Sequence, residues 1–392
     1  MAELESTRNP PTPSVSDLLE RARELAPKLR KRSAQAETMR RVPDETISDF
    51  KNAGLIRATQ PKRYGGYEVD WDTLCDISQI LAAACGSQAW IQRIMADHAQ
   101  MVGTFPAEAQ EDVWGTNANA LVSASFDPVG RAESVQGGFV FSGRHGFSSG
   151  VDHADWVICG GYIILGETKD GPHFFLVPRG DIKIIDDWQT MALSGTGSKS
   201  FEVSNAHIPA HRFLDGKLAN QGAGPGTLVN DALVYRIPRN AGVTTAGFTA
   251  LTVGMAQGVL QEWLDYTIGR TSRGVSIASL PTTQELVARS SGEIAAAEAL
   301  YRASLSDSIR RLQRGEAVAP MDKATSKRNV SLAAQLCLKA TTRLFNSAGG
   351  RALFVEGHMQ RQYRNLLGAA SHHALVWESA AVEYGALALR TK

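Results

Sequence analysis

Residues 145–156 read HGFSSGVDHADW and hold two serines, two histidines, two aspartates and a tryptophan in twelve positions. Serine, histidine and aspartate together could form a nucleophilic triad. Histidines with carboxylates could also ligate a metal. The spacing supports neither. A hydrolase serine sits in a GxSxG elbow between strand and helix; GFSSG has the letters but lies between strand-like runs, so no such elbow is present. His145 and His153 lie eight positions apart around a glycine-containing turn, with no helix to align them. HExxH and the carboxylate–histidine spacing of a di-iron bundle are missing, so no metal is expected. The remaining reading is a polar turn, in which Ser148 and Ser149 cap, Asp152 bonds backbone amides, and Trp156 opens a buried strand. His153 and Asp155 belong to the same framework. Phosphate cradles are absent as well. GGFVFSG lies within strands rather than after one, and GxxxxGK[ST] does not occur.

The elements around this turn change character twice. From about Ser14 to Gly115 the pattern is helical, with Val15, Leu18, Ala22, Leu25 and Leu29 on one face. Pro43 and Pro106 stand near helix starts, and Gly54 and Gly115 near helix ends. From about Ala118 to Leu214, runs such as LVSASF, GGFVFSG, WVICGGYI and HFFLVP alternate with Gly, Asp, Pro and Asn. That predicts an antiparallel sheet unit or small barrel, with VQGGFV as a hairpin turn. DGKLANQGAGPGTLVND follows as a mobile loop. From about Arg239 long helices return, opened at Pro281 and Pro320, with Gly315 and Gly349 near their ends, and short connections favour an antiparallel bundle. The expected division is a disordered arm over 1–13, a helical domain over 14–117, a β domain over 118–214, a substrate-side loop over 215–238 and a helical bundle over 239–392.

Composition narrows the class. With 41 basic against 40 acidic residues there is no basic stripe, which argues against nucleic acid. No run of about 18 apolar residues is evident, so no membrane span is expected, and the Pro-rich N-terminus lacks the apolar core of a signal peptide. Cys75, Cys85, Cys159 and Cys337 form no CxxC pair, which fits a reducing cytoplasm.

Four pieces in this order, PKRYGGYEVDW, FSSGVDHADWVICGG, MALSGTGSKSFEVSNAHIPAHRFL and YTIGRTSRG with TTQELVA, resemble the acyl-CoA dehydrogenase fold. The resemblance covers nearly the whole chain past Leu18. It implies a mainly α protein with an N-terminal helical domain, a central β-barrel, a C-terminal four-helix bundle, a homotetramer and a flavin between barrel and bundle. A fold does not decide chemistry. Where the dehydrogenases carry a catalytic glutamate after YRD, this chain has YRNLLGAASHHALVWE, with His372 and His373 in its place and Glu378 about a turn late. RNLLGAASHH and MADHAQMVGTFPAEAQEDVWG instead resemble the oxygenase components of two-component flavin monooxygenases, the group of the p-hydroxyphenylacetate, steroid-degrading phenol and dibenzothiophene enzymes. These take reduced FMN or FAD from a separate NAD(P)H:flavin reductase, add O2 at flavin C4a and pass one oxygen atom to a small aromatic or heteroaromatic substrate. The alternatives are an acyl-CoA dehydrogenase-type flavoenzyme with a displaced base, or a catalytically silent flavin-binding scaffold.

The resemblance assigns roles residue by residue. Ser149 would contact the flavin near N5, with Ser148 as its neighbour, in a pocket that keeps fixed donors and little bulk water. His372 would face the oxygen adduct, as donor or proton acceptor near neutral pH; His373, about 100° away if both are helical, would turn to the substrate side or take that role in its place, since only one of the two can face the flavin. His98 would deprotonate or orient a phenolic hydroxyl; the plainer reading is an imidazolium at a helix end. Ser123 and Ser125, on one face of LVSASF, would line the substrate cavity. Arg270 would meet the cofactor phosphates, with Arg273 as an alternative and Gln284 in the next helix. RTSRG in place of the dehydrogenases' RxQFG leaves FMN as well as FAD open. Gly349 and Gly350 would approach a flavin held by a neighbouring subunit, or simply cap a helix. The loop over 215–238 would help set substrate range.

Overall fold

The structure, a computed structural model, describes residues 12–239 and 241–390. Most of the arm read over 1–13 lies outside the described residues.

Six helices come first: α1 (Val15–Lys31), α2 (Ser33–Met39), α3 (Asp44–Asn52), α4 (Trp71–Ala84), α5 (Gly86–Val102) and α6 (Ala107–Trp114). Their ends follow from local chemistry. Ser14 accepts from the Asp17 amide while Asp17 reaches back to the Ser14 amide, a capping box. Leu18, Ala22, Leu25 and Leu29 recur at helical spacing and are buried, whereas Val15 at the very end is exposed. α5 has no cap of its own. Its Gly86 amide donates to Gln362 from the C-terminal half, and Gln362 donates back to the Ala82 carbonyl at the end of α4. Sixteen of its 17 residues are buried, so α5 runs through the interior rather than along the surface.

Seven strands follow: β1 (Val122–Val135), β2 (Gly138–Ser148), β3 (Trp156–Leu165), β4 (Thr168–Pro178), β5 (Ile182–Ile185), β6 (Lys199–Pro209) and β7 (Phe213–Leu214). They form one sheet in the order β5-β6-β2-β1-β3-β4-β7. The hairpin at Gly137 is present, with φ of 81° at that glycine. Two expectations need correction. The sheet is mixed, because β3 pairs in parallel with β1; residues 149–155 carry the chain from β2 past the end of β1 to its other side. A closed barrel is not formed by hydrogen bonds either, since β5 and β7 are the two ends of the order and no ladder joins them. The sheet still encloses its own core, in which Phe141, Phe175, Phe201, Val157, Val203 and Ile182 from β1's neighbours and beyond meet with Phe213 of β7 against them.

The segment read as a loop over 215–238 contains a short helix, α7 (Gly216–Gln221), and two turns of 3-10 helix at Pro225–Leu228 and Leu233–Arg236. Then come α8 (Val243–Ile268), the tiny hairpin β8 (Thr271–Ser272) and β9 (Val275–Ser276), α9 (Pro281–Gln313), α10 (Pro320–Ser347), α11 (His358–Ala370) and α12 (Trp377–Ala388). Pro281 and Pro320 occupy the first turns of α9 and α10, as their missing amides allow. α8 is long and apolar enough to cross a membrane by length and composition, although it holds no unbroken apolar run. Its apolar window is 72% buried inside the molecule, so here it is the core helix of a bundle. One apolar core runs from α1, α4 and α5 into α8, α9, α10 and α11.

Candidate active site

The turn at 147–150 lies where β2 ends against α5. Phe147 is held in the left-handed region at φ 55° and is 79% exposed, an arrangement that favours neither backbone nor side chain. The three serines around it are buried. Ser123 donates to the Ser149 carbonyl at 2.8 Å and lies 2.7 Å from the Ser148 hydroxyl. Its proton is spent on the carbonyl, so Ser148 donates to Ser123. Ser123 and Ser148, both fully buried, therefore brace the turn. Ser125 donates to the Gly146 carbonyl at 2.8 Å and braces it from the other side. Ser149 differs. Its hydroxyl accepts from Trp90 Nε1 at 3.2 Å and lies 2.8 Å from the Ser198 hydroxyl, with acceptor capacity left over.

Trp90, which the sequence reading did not single out, joins the two halves of the site. Its ring edge faces His372 at 5.5 Å, and Phe248 stacks on His372 at 4.3 Å. His372 does not lie on a helix, which corrects the helical geometry assumed for the histidine pair. α11 ends at Ala370, and His372 caps the short turn His373–Leu375. His373 packs beside it at 4.3 Å but is exposed. Nδ1 of His372 accepts from the Ala374 amide at 3.3 Å, so the neutral ring carries its proton on Nε2. Burial, with His373 alongside, holds its pKa down at about 3, so it stays neutral.

His98 has the opposite polarity. Nδ1 lies 2.9 Å from the Val122 carbonyl, which can only accept, so the proton sits on Nδ1. Nε2 is left as an acceptor with no protein partner among the described residues. Burial lowers its pKa to about 4, which opposes an imidazolium at this helix end. Its ring meets the edge of Phe126 at 5.5 Å. Arg239, also absent from the sequence reading, lies over Phe126 at 3.8 Å and Phe174 at 4.8 Å. Burial lowers its pKa to about 10, opposed by Asp97. Arg239 lines a small cavity together with Trp71, Gln100, Gly224 and Tyr235, so the 215–238 segment forms one wall.

The other residues expected at the flavin gather elsewhere. Arg270 lies over the Tyr266 ring at 4.5 Å, and Gly349, at φ 76°, is its neighbour. Arg273 and Gln284 are exposed, the former at the tip of the β8–β9 hairpin, and Gly350 is exposed beside Gly349. Phe248 lies near the start of α8 and Arg270 just past its end, 22 residues apart in the chain, which is roughly 33 Å at helical rise. Within one chain these residues and the Ser149–His372 pair do not converge. Asp152 also departs from expectation. It pairs with Lys199 at 3.1 Å, while the amide of Leu121 is bonded by Asp155 at 2.8 Å. His153 is framework, as read, with Nε2 on the Val42 carbonyl at 2.9 Å.

These features fit a flavin. An acceptor hydroxyl at Ser149 and an Nε2–H donor at His372 lie on either side of Trp90, in a helix–sheet–bundle architecture. Family models agree on the class. Residues 12–117 match the acyl-CoA dehydrogenase N-terminal domain and residues 246–377 its C-terminal domain. The chain is 32% identical to the flavin-dependent monooxygenase oxygenase subunit HsaA of Rhodococcus jostii (strain RHA1), over 94% of this chain and 97% of that one. It is 30% identical to the FADH(2)-dependent resorcinol hydroxylase oxygenase component of Rhizobium sp. (strain MTP-10005), covering 94% and 93%. The crystal structure of 3-HSA hydroxylase from Rhodococcus sp. RHA1 superposes with a TM-score of 0.90 at 31% identity, covering 96% and 98%. The chain belongs to the oxygenase components of flavin-dependent monooxygenases, within the acyl-CoA dehydrogenase fold. It is an oxidoreductase, and its glutamate-free SHH segment accords with that branch rather than with the dehydrogenases.

Proposed function

We propose that this enzyme hydroxylates a small phenol, using reduced flavin supplied by a separate NAD(P)H:flavin reductase, and O2. The observation that carries the reading is that two neutral histidines present opposite tautomers, an open Nε2 acceptor at His98 and an Nε2–H donor at His372. Bound reduced flavin supplies the electrons that activate O2. His98 Nε2 accepts the phenolic proton, which raises electron density on the ring carbon to be oxidised. Arg239, desolvated beside Phe126, favours the resulting phenolate. His372 Nε2–H donates toward the oxygen to be transferred, and Ser149 holds the flavin edge. The apolar packing of Trp90 and Phe248 around His372 excludes water there. The resorcinol named for one relative supports a phenolic substrate. The 215–238 segment, as a wall of the Arg239 cavity, is the proposed determinant of substrate range.

The roughly 33 Å between the two residue groups supports an oligomer, with a tetramer as the proposed state, in which Arg270, Gly349 and Gly350 of one subunit serve the flavin of another. FMN and FAD both suit Arg270 as a phosphate ligand. Four buried, unpaired cysteines suit a reducing cytoplasm. The test is rapid mixing of the enzyme with reduced FMN or FAD and oxygenated buffer, with a panel of phenols. Oxygenated phenol in excess of H2O2 is the expected result. Equal turnover of non-phenolic aromatics would remove the role given to His98.

A further inference from the structure

A chain of five groups runs from Trp90 to the backbone of Leu193. Trp90 Nε1 lies 3.2 Å from Ser149 Oγ, and Ser149 Oγ lies 2.8 Å from Ser198 Oγ. Ser198 Oγ lies 2.7 Å from Thr196 Oγ1, which lies 2.7 Å from the Leu193 carbonyl oxygen. The two ends decide every proton between them. An indole N–H can only donate, and a carbonyl can only accept. Two oxygens 2.7 Å apart have a proton between them, and at the Leu193 carbonyl it must come from Thr196. Thr196 has then no proton for Ser198, so Ser198 donates to Thr196. Ser198 has none for Ser149, so Ser149 donates to Ser198. The Ser149 hydroxyl is left with no proton to offer, one lone pair filled by Trp90 and one lone pair open.

The order is protected. Trp90, Ser149, Thr196 and Ser198 are each at most 9% exposed, so water does not reorder the chain. Its far end is fixed as well. The Leu193 amide donates to Asn365 Oδ1 at 2.8 Å, on the helix that leads to His372, and the Leu193 carbonyl also takes Trp188 Nε1 at 3.1 Å.

We infer that Ser198, Thr196 and Trp90 are positioning residues that hold the Ser149 hydroxyl as an acceptor toward the flavin, and so make the site select the reduced cofactor. This rests on the proposed placement of the flavin at Ser149. Reduced flavin carries a proton at N5 and donates; oxidised flavin has a lone pair there and accepts. An acceptor-only hydroxyl meets the first with a hydrogen bond and the second with a lone-pair repulsion.

The test is anaerobic titration of the wild type, S149A, S198A and T196V with reduced and with oxidised FMN and FAD, read by flavin absorbance and fluorescence. S198A frees the Ser149 proton to turn to oxidised flavin. T196V frees the Ser198 proton for Ser149, with the same consequence two bonds from the ligand and almost no change in volume. Both variants should bind oxidised flavin more tightly than the wild type does. The reduced-to-oxidised preference should fall about five-fold, the worth of one ordinary hydrogen bond. The midpoint potential of bound flavin should then drop about 20 mV, since ten-fold corresponds to about 30 mV for a two-electron couple. S149A should also lose the preference, but chiefly by weaker binding of the reduced form, which S198A and T196V leave intact; relief of the repulsion alone gives the oxidised form a smaller gain than a new hydrogen bond does. If S198A and T196V weaken both forms alike while S149A alters the preference, the residues only pack, and the inference fails with the flavin placement intact. If S149A leaves both affinities and the flavin spectrum unchanged, the placement itself fails and the inference with it.

Discussion

His98 and His372 are both neutral imidazoles, yet one presents a lone pair and the other a proton. The difference comes from a single backbone partner each, the Val122 carbonyl for His98 and the Ala374 amide for His372. His98→Gln keeps a polar side chain but removes the base. It should lower kcat on a phenol by about a hundredfold or more and leave reduced-flavin binding as in the wild type. Single-turnover product yield and an anaerobic flavin titration read the two effects separately. Full kcat in the variant would show that the substrate needs no base.

The elements hold these residues through a buried charge. α5 carries Trp90, Arg93, Asp97 and His98 within nine positions, and Arg93 has no solvent exposure. Arg93 pairs with Asp97 at 2.9 Å and lies over the Trp71 ring at 4.5 Å. Gly247 of α8 makes room for it, since a methyl group there would stand 2.1 Å from the guanidinium carbon. Gly247→Ala must therefore push Arg93 off its partners. Breaking a buried pair of this kind costs about 3–5 kcal/mol. A clear loss of melting temperature, with weaker substrate binding through the neighbouring His98 and Arg239, is expected by calorimetry and steady-state kinetics. Unchanged stability would mean that the bundle accommodates the methyl by a shift of α8.

At the scale of the whole molecule, buried histidines set the acid limit. Burial holds His98 and His145 at about 4 and His372 at about 3, against an ordinary value of 6.5. Below about pH 6.5 the unfolded chain takes up these protons and the folded chain does not. The stability is thus complete above that pH and is lost as pH falls toward 4. Asp97, raised to about 6 by burial, acts in the opposite sense and offsets one proton. A net of about two protons gives a slope of about 3 kcal/mol per pH unit near pH 5. His145 lies between Phe141 and Phe201 at 5.9 and 5.1 Å, with both ring nitrogens unpartnered. His145→Phe should therefore keep stability at pH 7 and move the acid-unfolding midpoint to lower pH; an unmoved midpoint would show that His145 is protonated in the fold.

The distance along α8 leads to a second prediction at this scale. S149A and Arg270→Ala chains, each impaired alone, should recover activity when unfolded and refolded together, because a shared oligomer forms some sites from two intact contributors. No recovery in a verified mixed oligomer would place Arg270 outside the flavin site.

The sequence by itself determined the order of helices, sheet and bundle, because periodicity, proline starts and glycine ends are local signals that survive without the fold. It also supplied the candidates for the chemistry. The FSSG turn, His98 and the SHH segment stand out by residue type, and the missing glutamate separates this chain from the dehydrogenases. Only the tertiary structure decided what each group can do. The parallel β1–β3 pairing, the open hydrogen-bond order of the sheet and the loop setting of His372 depend on contacts between distant segments. Trp90 and Arg239 were illegible for the same reason: a tryptophan and an arginine are common, and their importance lies in Ser149, His372, Phe126 and Phe174, remote in sequence. The tautomers and the direction of the serine chain were likewise beyond reach. A hydroxyl or an imidazole can donate or accept, and only the neighbour that folding brings to within 3 Å or so settles which.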